Sequence, residues 1–241
     1  MKKLGVVGGL GPMTTVSFIK RVIDMTDATI DQEHIPMVVE HCCYTPDRTA
    51  FILGNSEESP LPSITAACKD LERSGATHIA MPCVTAHYFY DELSKSVEIP
   101  VYNGIELCVK AFREKGITKV GLMATEGTVK SGIFAAPLKN AGITCIEPND
   151  RNQSYVTRLI YNNVKMGQPV EKEIFEHVVK YFESAGAEAI LLGCTELSVI
   201  ADEWLPEGCF LDMMSALARE CVKDYGNLKE EYREILIVNK R

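Results

Sequence analysis

Two cysteines stand at matching places in the chain, in surroundings that suit acid–base chemistry. Residues 70–87 read DLERSGATHIAMPCVTAH, and residues 181–197 read YFESAGAEAILLGCTEL. Gly75 lies eight positions before Cys83, and Gly186 lies eight before Cys194. Ala76 matches Ala187 and Ile79 matches Ile190 at one common offset. A thiolate is a nucleophile or a base, and a helix N-terminus lowers a thiol pKa. Both cysteines precede stretches that read as helix starts, so both are expected to be acidic. Covalent catalysis by one thiol wants a neighbouring His, and His87 stands near Cys83. A pair of related thiols suits a different reaction. One thiol takes a proton from one face of a carbon while the other supplies a proton to the opposite face, which inverts the centre. A disulfide between the two is the competing reading, disfavoured in a reducing compartment.

The elements that must position these thiols follow from the same stretches. Each copy runs from a helix through a Gly turn into a short apolar strand that stops near its cysteine. Gly fits the turn because helices commonly end on a left-handed residue. A short bounded apolar run is what a strand buried on both faces of a parallel sheet requires. Open α/β sheets bind ligands beyond the carboxyl ends of their strands. A second echo pairs LGVVGGLGPMT (4–14) with VGLMATEGTVK (120–130), placing Gly5 on Gly121 and Gly11 on Gly127. Two echoes in one order indicate duplication, since a solenoid needs more copies. The expected fold is therefore α/β, with two similar pseudo-symmetric lobes. Each lobe has a mostly parallel sheet flanked by helices, and the active site is expected between them. The expected first lobe is 1–100 plus 208–241, and the second is 101–207.

Further strands are expected at Leu4–Val7, Met37–Glu40, Lys119–Met123, Thr144–Ile146 and Cys209–Leu211. Helices are expected around 152–166 and 171–185. Val16, Ile19 and Ile23 mark one helical face, and Leu61, Ile64, Cys68 and Leu71 another. Ile174, Val178, Tyr181 and Phe182 mark a third. Residues 44–60 read as a polar loop containing Arg48, a residue able to clamp a carboxylate with two parallel bonds. The turn Gly8-Gly9-Leu10-Gly11 before a helix offers N–H groups to an anion. It is only a partial dinucleotide fingerprint, because Thr14 replaces the third glycine and Pro12 removes a donor. The segment past Pro206 is expected to pack back on the first lobe.

Composition narrows the class. With 241 residues, 46% hydrophobic and 24% charged, the chain can bury an ample core. A net charge of −8 without a basic block argues against nucleic acid, and no apolar run is long enough to span a bilayer. The apolar stretch after Lys2 and Lys3 is expected to be a first strand and not a signal peptide. Nine cysteines without an export signal read as reduced thiols, so a cytoplasmic location is expected. Without a CxxC pair no metal is expected. Cys42, Cys43, Cys68, Cys108, Cys145, Cys209 and Cys221 read as small buried hydrophobes.

The chain resembles the cofactor-independent aspartate/glutamate racemase family over nearly its whole length. The resemblance rests on Gly8-Gly9-Leu10-Gly11-Pro12, Asp31-Gln32-Glu33-His34-Ile35-Pro36 and Pro46-Asp47-Arg48-Thr49. It continues through Met81-Pro82-Cys83-Val84-Thr85-Ala86-His87, Ala124-Thr125-Glu126-Gly127-Thr128 and Leu192-Gly193-Cys194-Thr195-Glu196-Leu197. It implies interconversion of L- and D-aspartate or glutamate without a cofactor. Cys83 would deprotonate the D-substrate and Cys194 the L-substrate. Arg48 would hold the distal carboxylate with Lys165 as helper. Gly9, Leu10, Val84, Thr85 and Thr195 would line the α-carboxylate and α-substituents. His87 and Glu196 would either support the thiols or act as helix caps. The implied partner is a small dicarboxylic amino acid, and the family implies a homodimer.

One position departs from the family: Val84 stands where many members carry Asn. Asn donates and accepts near the substrate, whereas Val only packs. Two other readings stay open. One is a sister chemistry on this fold, maleate isomerisation or hydantoin racemisation. The other is a non-catalytic module binding a nucleotide or small acid at Gly8–Gly11.

Overall fold

Glycine turns divide the chain into a repeated strand–helix pattern, and the computed structural model describes residues 2–239. Two units emerge, one from residues up to Gly104 with Met214–Glu234, the other from Ile105–Met213 with residues from Ile235 onward.

In the first unit the chain runs β1 (Leu4–Gly8), α1 (Pro12–Met25), β2 (Met37–His41), α2 (Arg48–Ile52), α3 (Leu61–Arg73), β3 (His78–Ala80) and α4 (Tyr90–Lys95). The strands form a parallel sheet ordered β2-β1-β3, and Val101 adds an isolated parallel bridge to Ile79. Its core joins Val7 and Ile79 to Ile64, Ala67, Cys68 and Leu71 of α3. These four recur at helical spacing, which is why α3 lies against the sheet.

The second unit follows through α5 (Gly104–Glu114), β4 (Lys119–Ala124), α6 (Glu126–Ser131), α7 (Ala135–Asn140), β5 (Thr144–Ile146), α8 (Asp150–Thr157), α9 (Lys172–Ser184), β6 (Ala189–Gly193), α10 (Thr195–Glu203) and β7 (Gly208–Asp212). After α11 (Met213–Tyr225), β8 (Leu236–Asn239) closes the sheet as an antiparallel edge, in the order β5-β4-β6-β7-β8. Between α8 and α9 residues Arg158–Lys165 form a π-helix. Phe175, Val178, Val179 and Phe182 of α9 pack with Ile190 and Leu192 of β6.

The repeat anticipated from sequence appears in the strand order, since β2-β1-β3 has the same arrangement as β5-β4-β6. It also appears in register: Gly5 pairs with Ile79, and Gly121 with Ile190. Gly75 and Gly186 are left-handed, with φ of 81° and 88°, and the amides after them donate to Leu71 and Phe182. Both helices thus end on the same turn, one that a side chain would strain.

Several expectations need correction. The strand 208–212 does not join the first lobe; β7 pairs parallel with β6, Ile190 opposite Phe210, and β8 follows it. Only Met214–Glu234 of that segment groups with the first unit. The Val16/Ile23 face of α1 is exposed, and Phe18, Val22 and Met25 are buried instead. On α9 the buried face is centred on Phe175 and Val179, leaving Ile174 and Tyr181 at its margin. The loop 44–60 contains α2, capped by the Asp47 carboxylate accepting from the Ala50 amide. Cys43 is exposed, and Cys145 and Cys209 are half-buried.

Candidate active site

In the first unit the expected residues gather around the carboxyl ends of β1 and β3. Gly9 turns the chain out of β1 with φ of 83°, and a Cβ there would lie 2.6 Å from the Cys42 amide nitrogen. Its N–H is not open to an anion, because it donates to Thr15 Oγ1 at 2.8 Å. Thr15 Oγ1 in turn donates to the Gly11 carbonyl at 2.9 Å, locking the turn onto the first turn of α1. Arg48, the first residue of α2, donates through Nη2 to the Leu10 carbonyl at 2.7 Å and through Nη1 to the Pro46 carbonyl at 3.2 Å. The guanidinium is therefore tied to the Gly9–Leu10 turn. Thr15 carries no capping signal in the sequence, because it lies inside α1, whose N-cap is Gly11.

Cys83 lies in the irregular stretch between β3 and a 3-10 turn, Thr85–Phe89. It is buried, as are Val84, Thr85 and His87. His87 Nδ1 lies 3.0 Å from the Cys83 carbonyl oxygen, and the Gly104 amide donates to His87 Nε2 at 3.1 Å. Burial lowers the His87 pKa to about 4. Val84 is buried, and its side chain has no hydrogen-bonding group.

In the second unit Cys194 caps α10 directly after β6, so its position is set by the junction of strand and helix. Its Sγ donates to Glu196 Oε2 at 2.9 Å, and Thr195 Oγ1 reaches the same oxygen at 3.4 Å. The other oxygen, Oε1, pairs with Lys165 Nζ at 2.8 Å. Lys165 ends the π-helix and lies 5.5 Å from the centre of the Tyr161 ring. The start of that helix is pinned by Arg158, which donates to both Glu171 oxygens at 2.7 and 2.6 Å. Asn163 adds a bond to Glu171 Oε2 at 3.3 Å. π-helical segments often mark functional positions. The sequence offers no signal for this one.

The expected acidity of Cys194 is overturned. Burial comes first and the Glu196 carboxylate second, and together they hold the thiol well above its ordinary pKa. These effects outweigh both Lys165 and the amide at the start of α10, which lower the pKa. The cysteine is thus a proton-loaded thiol beside a carboxylate. Among the described residues no group of three or more His, Cys, Asp or Glu is placed to hold a metal ion. Among them, too, no helix is long and apolar enough to cross a membrane.

Comparison with known proteins fits this arrangement. A broad-specificity amino-acid racemase of Bacillus subtilis (strain 168) is 29% identical over 234 residues, covering 92% of this chain and 97% of that protein. The solved structure of Picrophilus torridus aspartate racemase is 34% identical with a TM-score of 0.84, covering 98% of this chain and 99% of that one. A glutamate racemase of Aquifex aeolicus (strain VF5) is 25% identical over 83% of this chain and 73% of its own length. Fold and relatives define the class: an isomerase, an amino-acid racemase. The model of the Asp/Glu/Hydantoin racemase family matches residues 7–221, and the chain belongs to that family.

Proposed function

We propose that this racemase interconverts the L and D forms of aspartate or glutamate, without a cofactor, by proton transfer at Cα between Cys83 and Cys194. The observation that carries the reading is Cys194 held as a thiol by burial and by Glu196. From the D-substrate, the Cys83 thiolate takes the α-proton and the Cys194 thiol delivers its own proton to the opposite face. The product is the L-enantiomer, with Cys83 now the thiol and Cys194 the thiolate. The reverse reaction begins from that second state. Abstraction next to a carboxylate builds negative charge, which preorganised donors must stabilise. Arg48 is assigned to the distal carboxylate, with Lys165 as helper. Gly9, Leu10, Val84, Thr85 and Thr195 are assigned to the rest of the substrate. The names of the relatives support the substrate class, and a cytoplasmic homodimer is part of the same proposal.

Val84 favours a second reading. An apolar side chain in place of a hydrogen-bonding one leaves a buried polar group of the substrate unpaired, at about 1–3 kcal/mol. That penalty points to a substrate lacking the group, as in maleate isomerisation or hydantoin racemisation. The test is incubation in D₂O, without added cofactor, with L-aspartate, L-glutamate and a panel of neutral amino acids, maleate and hydantoins. Deuterium at Cα with inversion of aspartate or glutamate supports the proposal. Turnover confined to maleate or hydantoins transfers the site to the sister chemistry.

A further inference from the structure

The five histidines of this chain include one that touches the backbone of a proposed acid–base residue, and its hydrogen bonds define its form. The Gly104 amide can only donate, so His87 Nε2 must be the acceptor, unprotonated. The Cys83 carbonyl can only accept, so Nδ1 must carry the hydrogen. The imidazole is therefore the neutral Nδ1–H tautomer with both nitrogens engaged. Tyr90 stacks on it at 6.3 Å with an interplanar angle of 3°, and the Tyr90 hydroxyl is itself tied to the Val101 carbonyl at 3.0 Å.

We propose that His87 is a positioning residue that ties the Cys83 carbonyl to the Gly104 amide and so fixes the direction of the Cys83 thiol, taking no part in proton transfer. The need arises from the local chain. Cys83 belongs to neither β3 nor the 3-10 turn, so no ladder or helix holds its carbonyl. The 3-10 turn brings His87 back over that carbonyl, with the His87 amide bonded to the Val84 carbonyl at 2.9 Å. Gly104 is still part of the first unit, so both ends of the tie, the Cys83 carbonyl and the Gly104 amide, lie within that unit. Burial, which pulls the pKa to about 4, keeps the ring neutral and suits a fixed strut. The sequence allowed His87 to be a base for Cys83; its bonds leave no nitrogen for that task.

The role rests on the racemase reading, but its test does not depend on turnover alone. Nitrogen-15 NMR of the labelled protein, assigned by loss of a signal in His87→Asn, should show the Nδ1–H tautomer of His87 unchanged between about pH 5.5 and 8. Titration in that window, or the Nε2–H tautomer, would overturn the proposal whatever the substrate. Kinetics supply the second arm. An Asn side chain retains a donor near Nδ1, so H87N should keep kcat within about tenfold of the parent, whereas H87L should lose about 100-fold in kcat with little change in KM. The rate of Cys83 alkylation should move in H87L and return in H87N. Equal loss in both variants, or full activity in H87L, contradicts the assignment. A parent protein inert on the whole substrate panel would instead count against the racemase reading, and the NMR and alkylation results would still decide the role of His87.

Discussion

Cys194 donates a hydrogen bond to Glu196 across 2.9 Å, so the thiol and the carboxylate share a single proton-bearing contact. The carboxylate raises the thiol pKa by its charge and by accepting this bond, in addition to the effect of burial. Replacing Glu196 with Gln removes the charge and keeps the size. The Cys194 pKa then falls, and each unit of fall gives about a tenfold larger thiolate fraction at a fixed pH below it. Iodoacetamide labelling followed by mass spectrometry should show Cys194 reacting faster in E196Q at about pH 8. Racemisation should drop, because the proton donor is no longer kept loaded.

Lys165 neutralises Glu196 from the end of the π-helix, and its side chain is 29% exposed against 5% for Glu196. Lys165→Met leaves a buried carboxylate without its cation. Breaking a buried pair costs about 3–5 kcal/mol, and partial exposure of the ammonium reduces the expectation to about 1–3 kcal/mol. Urea unfolding should reveal that loss. Adding E196Q to K165M should recover part of it, since no charge then remains unpaired.

The turn out of β1 tolerates no side chain. At Gly9 a Cβ would meet the Cys42 amide nitrogen at 2.6 Å and carbonyl carbon at 2.7 Å, both backbone atoms, with φ at 83°. Gly9→Ala must move β2's continuation or the turn itself, and the Thr15 and Arg48 bonds with it. A stability loss of about 1–3 kcal/mol is expected from the strained backbone. Activity at saturating substrate should fall in the folded fraction as well. Thermal melting and specific activity measure the two effects.

The buried thiols make the fold sensitive to alkali. Burial, with nearby charge, raises Cys42 to about 11 and Cys68 and Cys145 to about 12, and Cys108, Cys194 and Cys221 are raised well above the ordinary range. In the unfolded chain the same thiols ionise at about 8.5. Below that pH both states hold their protons, and the stabilisation is fully present. Above it the unfolded chain loses protons that the folded chain keeps, so stability declines, by up to about 1.4 kcal/mol per pH unit for each thiol. Denaturation midpoints should hold steady up to about pH 8 and then fall as pH rises further.

The sequence disclosed the repeat because its signals are local. Gly75 and Gly186 terminate helices, and Ile79 and Ile190 pair with Gly5 and Gly121 in equivalent register. What it concealed depends on partners distant in the chain. The buried face of α1 is chosen by Phe18 and Val22, while Val16 and Ile23 carry the same helical period on the exposed side. Residues 208–212 alternate no more clearly than other short apolar runs, and only pairing with β6 places them in the second unit. Arg158 and Asn163 of the π-helix bond to Glu171, a contact without a local sequence mark. Cys194 is less acidic than its place at a helix start suggests, because that start is visible in sequence whereas burial and the direction of the Glu196 side chain are not. Asp47 was a readable cap for α2, and its signal was hidden only by the polar residues around it.

Single replacement of each proposed acid–base thiol tests the account most directly. Cys83→Ala and Cys194→Ala are each incubated in D₂O with the L and the D enantiomer of the substrate that the parent protein inverts. The account predicts that neither variant inverts either enantiomer, because each lacks one of the two proton carriers. Cys194→Ala should still exchange deuterium into the D-substrate, and Cys83→Ala into the L-substrate. Inversion at the parent rate by either variant would show that two cysteines are not the two bases.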